Sequence, residues 1–338
     1  MNLLQRIALL LLPGLVAGCY PLHATMGHLD LMARRQPLEV LIADPATPET
    51  YKARLARVAA MRDFASRELA LPDNGSYRQY ARLSEDYPVW SVWVTPEFEL
   101  APRESCFPVS GCVPYRGYYT RASAEAYAAG FRASGDDVLV GGVTAYSTLG
   151  YFDDPLTSAM LRLPDERLAG LLFHELAHQV VYVKNDATFN ESFARAVEIE
   201  GILRWLAHQQ DQAGLTAYRA ALERADAFFE SIKTTRTALA ELYASPLDDA
   251  AKRAGKARLF ESLRASHRRR VAEDPAWSAY DAWFEGELNN AKLAAVSTYF
   301  DEVESFRALL AAHHHDFAAF YAAVKTLAAE RRVARLSP

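Results

Sequence analysis

His174 and His178 stand four residues apart, and Glu175 directly follows the first of them. On a helix, residues four apart share one face, so the two imidazoles can grip a single ion from the same side. Glu175 falls about 100° round the helix from His174, beside the ion and not on it. A general base acting on an ion-activated water belongs there. The ligand types favour zinc, one ion per chain. The flanking Leu168, Leu171, Leu172, Phe173, Leu176, Val180 and Val181 are apolar, so the helix should be buried. Two histidines and a glutamate in a dry core are costly without a partner.

A catalytic zinc takes three protein ligands and leaves a fourth position open. The third candidate is Glu191, in Asn190-Glu191-Ser192-Phe193-Ala194. The chain between His178 and Glu191 suffices for a turn over 184–188 and an antiparallel return. A competing reading places Glu191 in a capping box with Thr188. Ala194, one turn on, leaves room for the first helix. Glu198 shares the Glu191 face and could orient a histidine N–H, or pair with Arg195.

Peptide hydrolysis also needs a donor for the oxyanion and often an edge strand that holds the substrate backbone. Gly141 to Ser147 is the candidate edge strand, with Gly142, Ala145 and Tyr146 as substrate-binding residues, because glycine permits close backbone approach. Tyr115, Tyr118, Tyr119, Tyr146 and Tyr299 are donor candidates, and Tyr299 is ranked first as a catalytic residue. His313-His314-His315 fan out too widely on a helix to converge on an ion and read as a solvated helix junction.

The elements that must position these groups lie in a chain of 338 residues with 37 Lys plus Arg, 42 Asp plus Glu and 51% apolar residues. That balance excludes a disordered chain. The net charge of −5 argues against a nucleic-acid partner. Periodicity predicts helices over 22–36 and 49–71, strands over 88–100 and 138–146, a compact loop or strand pair over 106–119 and a short helix over 122–134. Helices follow over 165–184, 189–210, 214–243, 248–272, 277–298 and 302–333. The fold class read from this is α+β, zincin-like, with a small mixed β-sheet, the His-Glu-x-x-His helix and a large helical C-terminal region. The predicted divisions are a signal peptide over 1–18, a catalytic region over 19–212 and a helical region over 213–338 that packs on the site.

Residues 7–16 form an apolar run of about ten residues, too short for a bilayer of ~30 Å and suited to a secretory signal. The run ends in Val16-Ala17-Gly18-Cys19, small residues before a cysteine as in bacterial lipoprotein signals. Cys19 is then the lipidation site, and membrane attachment runs through it. Tyr20 follows in place of an aspartate, which favours the outer membrane, with the protein facing the periplasm. Of the three cysteines, Cys106 and Cys112 remain, and in an oxidising envelope they should pair.

Nearly the whole mature sequence resembles a family of bacterial lipoproteins described as putative aminopeptidases. The resemblance is carried by Val16 to Cys19, Leu71-Pro72-Asp73-Asn74, Cys106 to Cys112, Tyr115 to Tyr118, Ala145 to Gly150, His174 to His178, Phe189 to Ala194 and Asn289-Asn290-Ala291. It implies removal of N-terminal residues from peptide substrates. The residues themselves point to a lipid-anchored zinc peptidase. The rival reading is a non-catalytic envelope lipoprotein with a structural zinc and a helical partner-binding region.

Overall fold

A computed structural model describes residues 20, 22–107, 111–297 and 302–336. Cys19 and Tyr299 lie outside the described residues. The chain is α+β: helices dominate, around small sheets. Helix α1 covers 22–33 and gives way to strand β1 (Arg35–Pro37), because Pro37 cannot continue a helix. Helices α2 (Leu38–Ala43) and α3 (Glu49–Glu68) follow. The predicted 49–71 helix thus stops before Leu71-Pro72, as the proline requires.

Arg62 on α3 is fully buried. Its guanidinium donates to the Ser76 carbonyl at 2.9 Å, the Pro72 carbonyl at 2.6 Å and the Ser66 hydroxyl at 2.6 Å. A buried cation without such acceptors would be prohibitive; here it ties down the 71–76 loop. From that loop, Asn74 Nδ2 donates to Gln179 Oε1 at 2.7 Å, and Tyr77 N donates to the Asp154 carbonyl at 2.6 Å.

Strand β2 (Gln79–Ala81) pairs antiparallel with β1 and parallel with β8 (Leu156–Thr157). A second sheet has β3 (Val89–Thr95) at its centre, between β6 (Arg116–Tyr118) and β7 (Asp137–Val143), both antiparallel to it. Strand β7 is therefore an edge. Trp90, Val92 and Val94 of β3 bury against Ala124 and Ala128 of helix α4 (Arg121–Ala133). The third sheet is a hairpin of β4 (Ser105–Phe107) and β5 (Gly111–Val113), in which Cys106 faces Cys112 across the ladder and the two form a disulfide. The single small mixed sheet expected from sequence is thus three small sheets, of which only the β1-β2-β8 sheet is mixed.

Helices α5 (Asp165–Val180) and α6 (Ala187–His208) form an antiparallel hairpin at the centre of the main core. Asp165 and Glu166 open α5, where acidic side chains complement the helix dipole. Two glycines let the helices approach. A Cβ on Gly201 would lie 2.6 Å from the Phe173 ring and 2.9 Å from Leu69, and one on Gly170 would lie 2.4 Å from Ile202 Cδ1. The same core takes in Val303, Phe306 and Leu310 of α11 (Val303–Ala312) and Phe317 to Ala328 of α12 (Phe317–Leu336).

Helices α7 (Gln212–Ala244) and α8 (Asp249–Glu273) build a separate apolar cluster with Trp277, Phe284 and Leu293. The continuous helix expected over 277–298 is not formed. A 3-10 turn (Pro275–Tyr280), a single turn α9 (Asp281–Phe284) and α10 (Asn290–Ser297) replace it, with Gly286 at φ +67° between them. The Asn289-Asn290 pair straps α10 to the second sheet. Asn289 Nδ2 donates to the Val138 carbonyl at 3.2 Å, and Asn290 Nδ2 donates to the Glu97 carbonyl at 3.0 Å. His313 to His315 form the solvated junction between α11 and α12.

Gly201→Val is expected to lower stability by more than about 2 kcal/mol, since overpacking a dense core costs ~1–3 kcal/mol and valine is a poor helix former. Urea unfolding of the variant beside the parent chain measures this; an unchanged midpoint would show that α5 and α6 do not need the close approach.

Candidate metal centre

His174 and His178 project from one face of α5, and Glu191 projects from α6 toward them. His174 Nε2 lies 3.2 Å from Glu191 Oε2 and 3.2 Å from His178 Nε2, and His178 Nε2 lies 3.7 Å from Glu191 Oε1. The other ring nitrogen of His174, Nδ1, donates to Glu198 Oε2 at 3.1 Å. Glu198 Oε1 accepts from Arg195, so Glu198 serves both partners the sequence offered it.

The capping reading of Glu191 is corrected. Asp186 caps α6, its carboxylate accepting from Phe189 N at 3.1 Å. The helix therefore starts earlier than Thr188 predicts, and Glu191 stands in its second turn, free of backbone duty. Asn190, fully enclosed, accepts from Val183 N at 2.7 Å and donates to the Val183 carbonyl at 2.8 Å. This two-point clasp closes the connection between the helices and sets where α6 begins. Nothing in the spacing of Asn190 announced it; only its position beside a ligand candidate could have drawn attention.

The donor set fits a small divalent cation on its own geometry. With Nδ1 of His174 donating to Glu198, its Nε2, once it gives up its proton, presents a lone pair toward a second imidazole nitrogen and a carboxylate oxygen. Three such atoms repel unless a positive charge lies among them. Donor atoms ~2.0–2.1 Å from a tetrahedral ion lie about 3.3 Å from one another, close to the 3.2, 3.2 and 3.7 Å found.

Proton affinities report the same demand for positive charge. Burial alone would lower the His174 pKa, but its hydrogen bonds to Glu191 and Glu198, and their charges, raise it to about 10. Burial would raise Glu191, yet His178 and His174 hold it below the usual carboxylate range. Burial would also raise Glu198, and Arg195 with His174 brings it down to about 2. His178 is lowered to about 4, chiefly by burial, so its imidazole is neutral and able to ligate.

Glu175 is half-buried, and burial lifts its pKa to about 7, against the pull of His174 and with help from Glu191 and Asp154. Ser147 favours the charged form of both Glu175 and Tyr77, lowering each against burial. The segment that leaves the β7 edge thus runs past the candidate base. Of the residues expected to bind substrate on this segment, Gly142 faces the Tyr87 ring, which a Cβ would meet at 2.1 Å. Ala145 is buried. The Tyr146 hydroxyl lies 2.6 Å from His28 Nδ1 and accepts from Tyr119 at 2.9 Å. Both tyrosine hydroxyls are thereby engaged in packing α1. Tyr115 and Tyr182 are the tyrosines that feel Glu191: burial first, then that carboxylate, raises both. Tyr115 follows the disulfide hairpin and packs its ring 5.1 Å from Trp93.

This arrangement, two imidazoles and a carboxylate on paired helices with a glutamate alongside, defines a group that can hold a metal ion. The chain belongs to the family described as "Putative aminopeptidase", which matches residues 19–337. Comparison with curated proteins and with solved structures found no match.

Asp154 yields a pH prediction. It is fully buried and accepts from Thr148 N at 2.9 Å and Thr148 Oγ1 at 2.7 Å. Burial raises its pKa to about 6, with the Thr148 bonds opposing. Between pH ~4 and ~6 the unfolded chain has released this proton while the folded chain keeps it, so stability falls as pH rises. Asp154→Asn should remove that loss, gaining about 2–3 kcal/mol over the parent above pH ~6 and nothing below pH ~4. Denaturant melts at the two ends of this range measure the difference; a gain independent of pH would contradict it.

Proposed function

We propose that this chain is a zinc-dependent aminopeptidase of zincin-like design, attached by a lipid on Cys19 to the bacterial outer membrane and facing the periplasm. The observation that carries the reading is the convergence of His174 Nε2, His178 Nε2 and a Glu191 carboxylate oxygen within 3.2–3.7 Å, with Glu175 next to His174. The family's description supplies the aminopeptidase class. The match begins at Cys19, which supports cleavage there, and no helix among the described residues is long and apolar enough to cross a membrane.

His174, His178 and Glu191 would hold the zinc, and Glu198 fixes the tautomer of His174 so that Nε2 presents its lone pair. Bound zinc supplies a Lewis acid that acidifies water and polarises a peptide carbonyl. Glu175 takes the proton of the attacking water on its carboxylate, then delivers it to the leaving amine. A carboxyl lifted to about 7 can hold that proton between the two steps. Tyr115 is the described donor best set to face a developing oxyanion, beside the Glu191 charge; Tyr299, outside the described residues, is the donor its sequence context favours.

The rival, a purely structural zinc, would be closed by a fourth protein ligand. Among the described residues the group has three donors, and the Glu191 side chain is 22% exposed to solvent. Those features favour an open, working site.

Purified protein should carry one zinc. His174→Ala should lose metal and turnover together. Glu175→Gln should keep metal and lose ~10²–10⁴ in kcat, and metal content read beside peptidase rates separates the two. Full activity in Glu175→Gln would remove it as the base. Glu198→Gln should weaken zinc affinity ~10–100-fold. Peptides with free and blocked N-termini, compared with and without chelator, test the exopeptidase assignment, which fails if blocked peptides are cleaved.

A further inference from the structure

Tyr20 is held firmly against the second sheet. Its hydroxyl donates to the Gly117 carbonyl at 2.9 Å, the Arg116 guanidinium lies 3.8 Å over its ring, and Tyr118 meets it edge-on at 5.4 Å. Cys19 is the next residue back, one peptide link or about 3.8 Å between Cα atoms. Helix α1 then packs one face inward. Gly27 lets the Tyr119 ring approach to 2.3 Å of where a Cβ would be, His28 bonds Tyr146, and Leu31 is buried.

The other face of α1 carries an exposed apolar stripe. Leu22, Met26 and Leu29, spaced along one side of the helix, are 60–62% exposed. Phe152, 55% exposed, meets the flank of the same helix with its ring 4.7 Å from His28, and its neighbour Tyr151 is 69% exposed. Among the described residues nine large apolar side chains stand exposed; three are on α1, and two more are on the segment that meets α1 through Phe152 and His28. A patch of this kind marks an interaction surface. Two exposed carboxylates border it: Asp30, paired with Arg34 at 2.9 Å, and Asp153, next in sequence to Phe152.

We infer that this face docks on the lipid bilayer. α1 lies in the interface plane, with Leu22, Met26, Leu29, Tyr151 and Phe152 entering the headgroup–acyl boundary. The inference rests on the reading that Cys19 carries lipid, and it goes beyond it. Acyl chains on a long flexible linker would leave the body free to face any way. Here the anchor is one residue from a side chain pinned to the sheet, so the start of α1 stays close to the membrane, and the stripe that begins there at Leu22 is apolar. The acyl chains and the stripe act as two attachment signals where one alone is reversible.

The chemistry of the chain provides a clean test. With Cys19 acylated and Cys106 bonded to Cys112, a cysteine introduced at Met26 or Phe152 is the only free thiol for an environment-sensitive fluorophore. Leu327→Cys on α12 serves as the control. Full-length protein is extracted, the N-terminal peptide is weighed for acylation, and the labelled protein is reconstituted into phosphatidylethanolamine–phosphatidylglycerol vesicles containing brominated lipid. The Met26→Cys and Phe152→Cys probes should be quenched at least threefold more than the control. Leu22→Glu with Leu29→Glu, both at exposed positions, should abolish that excess while leaving acylation and thermal unfolding unchanged. Acylated protein whose probes behave like the control overturns the docking and leaves the anchor standing. A blue shift without lipid quenching means that protein covers the face, and this too overturns it. An unacylated Cys19 removes the anchor and the docking together.

Discussion

The centre depends on how closely two helices can approach. A carboxylate on α6 comes within 3.2 Å of an imidazole on α5 only because the pair packs through glycine and alanine. Gly170 and Gly201 stand where any side chain would strike Ile202 or Phe173, and Ala177 and Ala194 are fully buried in the same core. Close packing sets the distance between the axes, but not the axial register. That falls to Asn190, whose amide takes both hydrogen-bonding groups of Val183. A connection of this length could let α6 begin one residue sooner or later, and either slip would swing Glu191 through about 100°. Glycines and an asparagine, none of them in the donor group, therefore decide whether the histidines have a third partner.

Around this hairpin the charges are layered. The innermost atoms are lone-pair donors, and their combined field pulls His174 upward and is answered by His174 and His178 holding Glu191 down. Farther out, Arg195 neutralises Glu198, so the carboxylate that orients His174 does not add an unopposed charge to the core. On the other side of α5, the buried Arg62 gathers the carbonyls of the 71–76 loop, and that loop meets α5 at Gln179 and the Asp154 segment at Tyr77. Glu175 is thus bordered by backbone that has been fixed from behind. A low-dielectric site gains from such preorganisation because its dipoles need not reorganise as charge moves.

Much of this was legible in the residues. The His174–His178 spacing, the apolar flank of α5, the return to Glu191 and the Cys106–Cys112 pairing all follow from rules that act over a few residues. So do α3, α4, β3 and β7, which show in helical apolar spacing or in runs of β-branched and aromatic residues. The misses have a common cause in tertiary structure. The residues over 277–298 carry apolar side chains at helical intervals, yet Gly286 and the inward strap of Asn289 and Asn290 break the helix. Strands of two or three residues, as in β1, β2 and β8, are too short to show a period. Tyr146 sits on the right segment, but its hydroxyl turns to a histidine 118 positions earlier in the chain, a contact no local pattern encodes. The cap of α6 was misplaced by two residues because Thr188 and Asp186 are both good caps and only packing chooses between them.

The disulfide hairpin rests on the turn before α6, at Lys184 and Asn185. Gly111, at φ +78°, lies so close to Asn185 that a Cβ would stand 2.2 Å from its side-chain oxygen, and the same oxygen accepts from Cys112 N at 2.7 Å. Asn185 immediately precedes Asp186, the cap of α6. A sulfur–sulfur bond and the start of a ligand-bearing helix are therefore neighbours on one hydrogen-bonded path. Oxidation of two thiols rigidifies the hairpin, and the hairpin in turn buttresses the turn from which Glu191 is aimed. The redox chemistry of the surroundings is in this way written into the shape of the candidate metal site: a chain still carrying reduced thiols would keep all three donor residues and lack one of the struts that aim them.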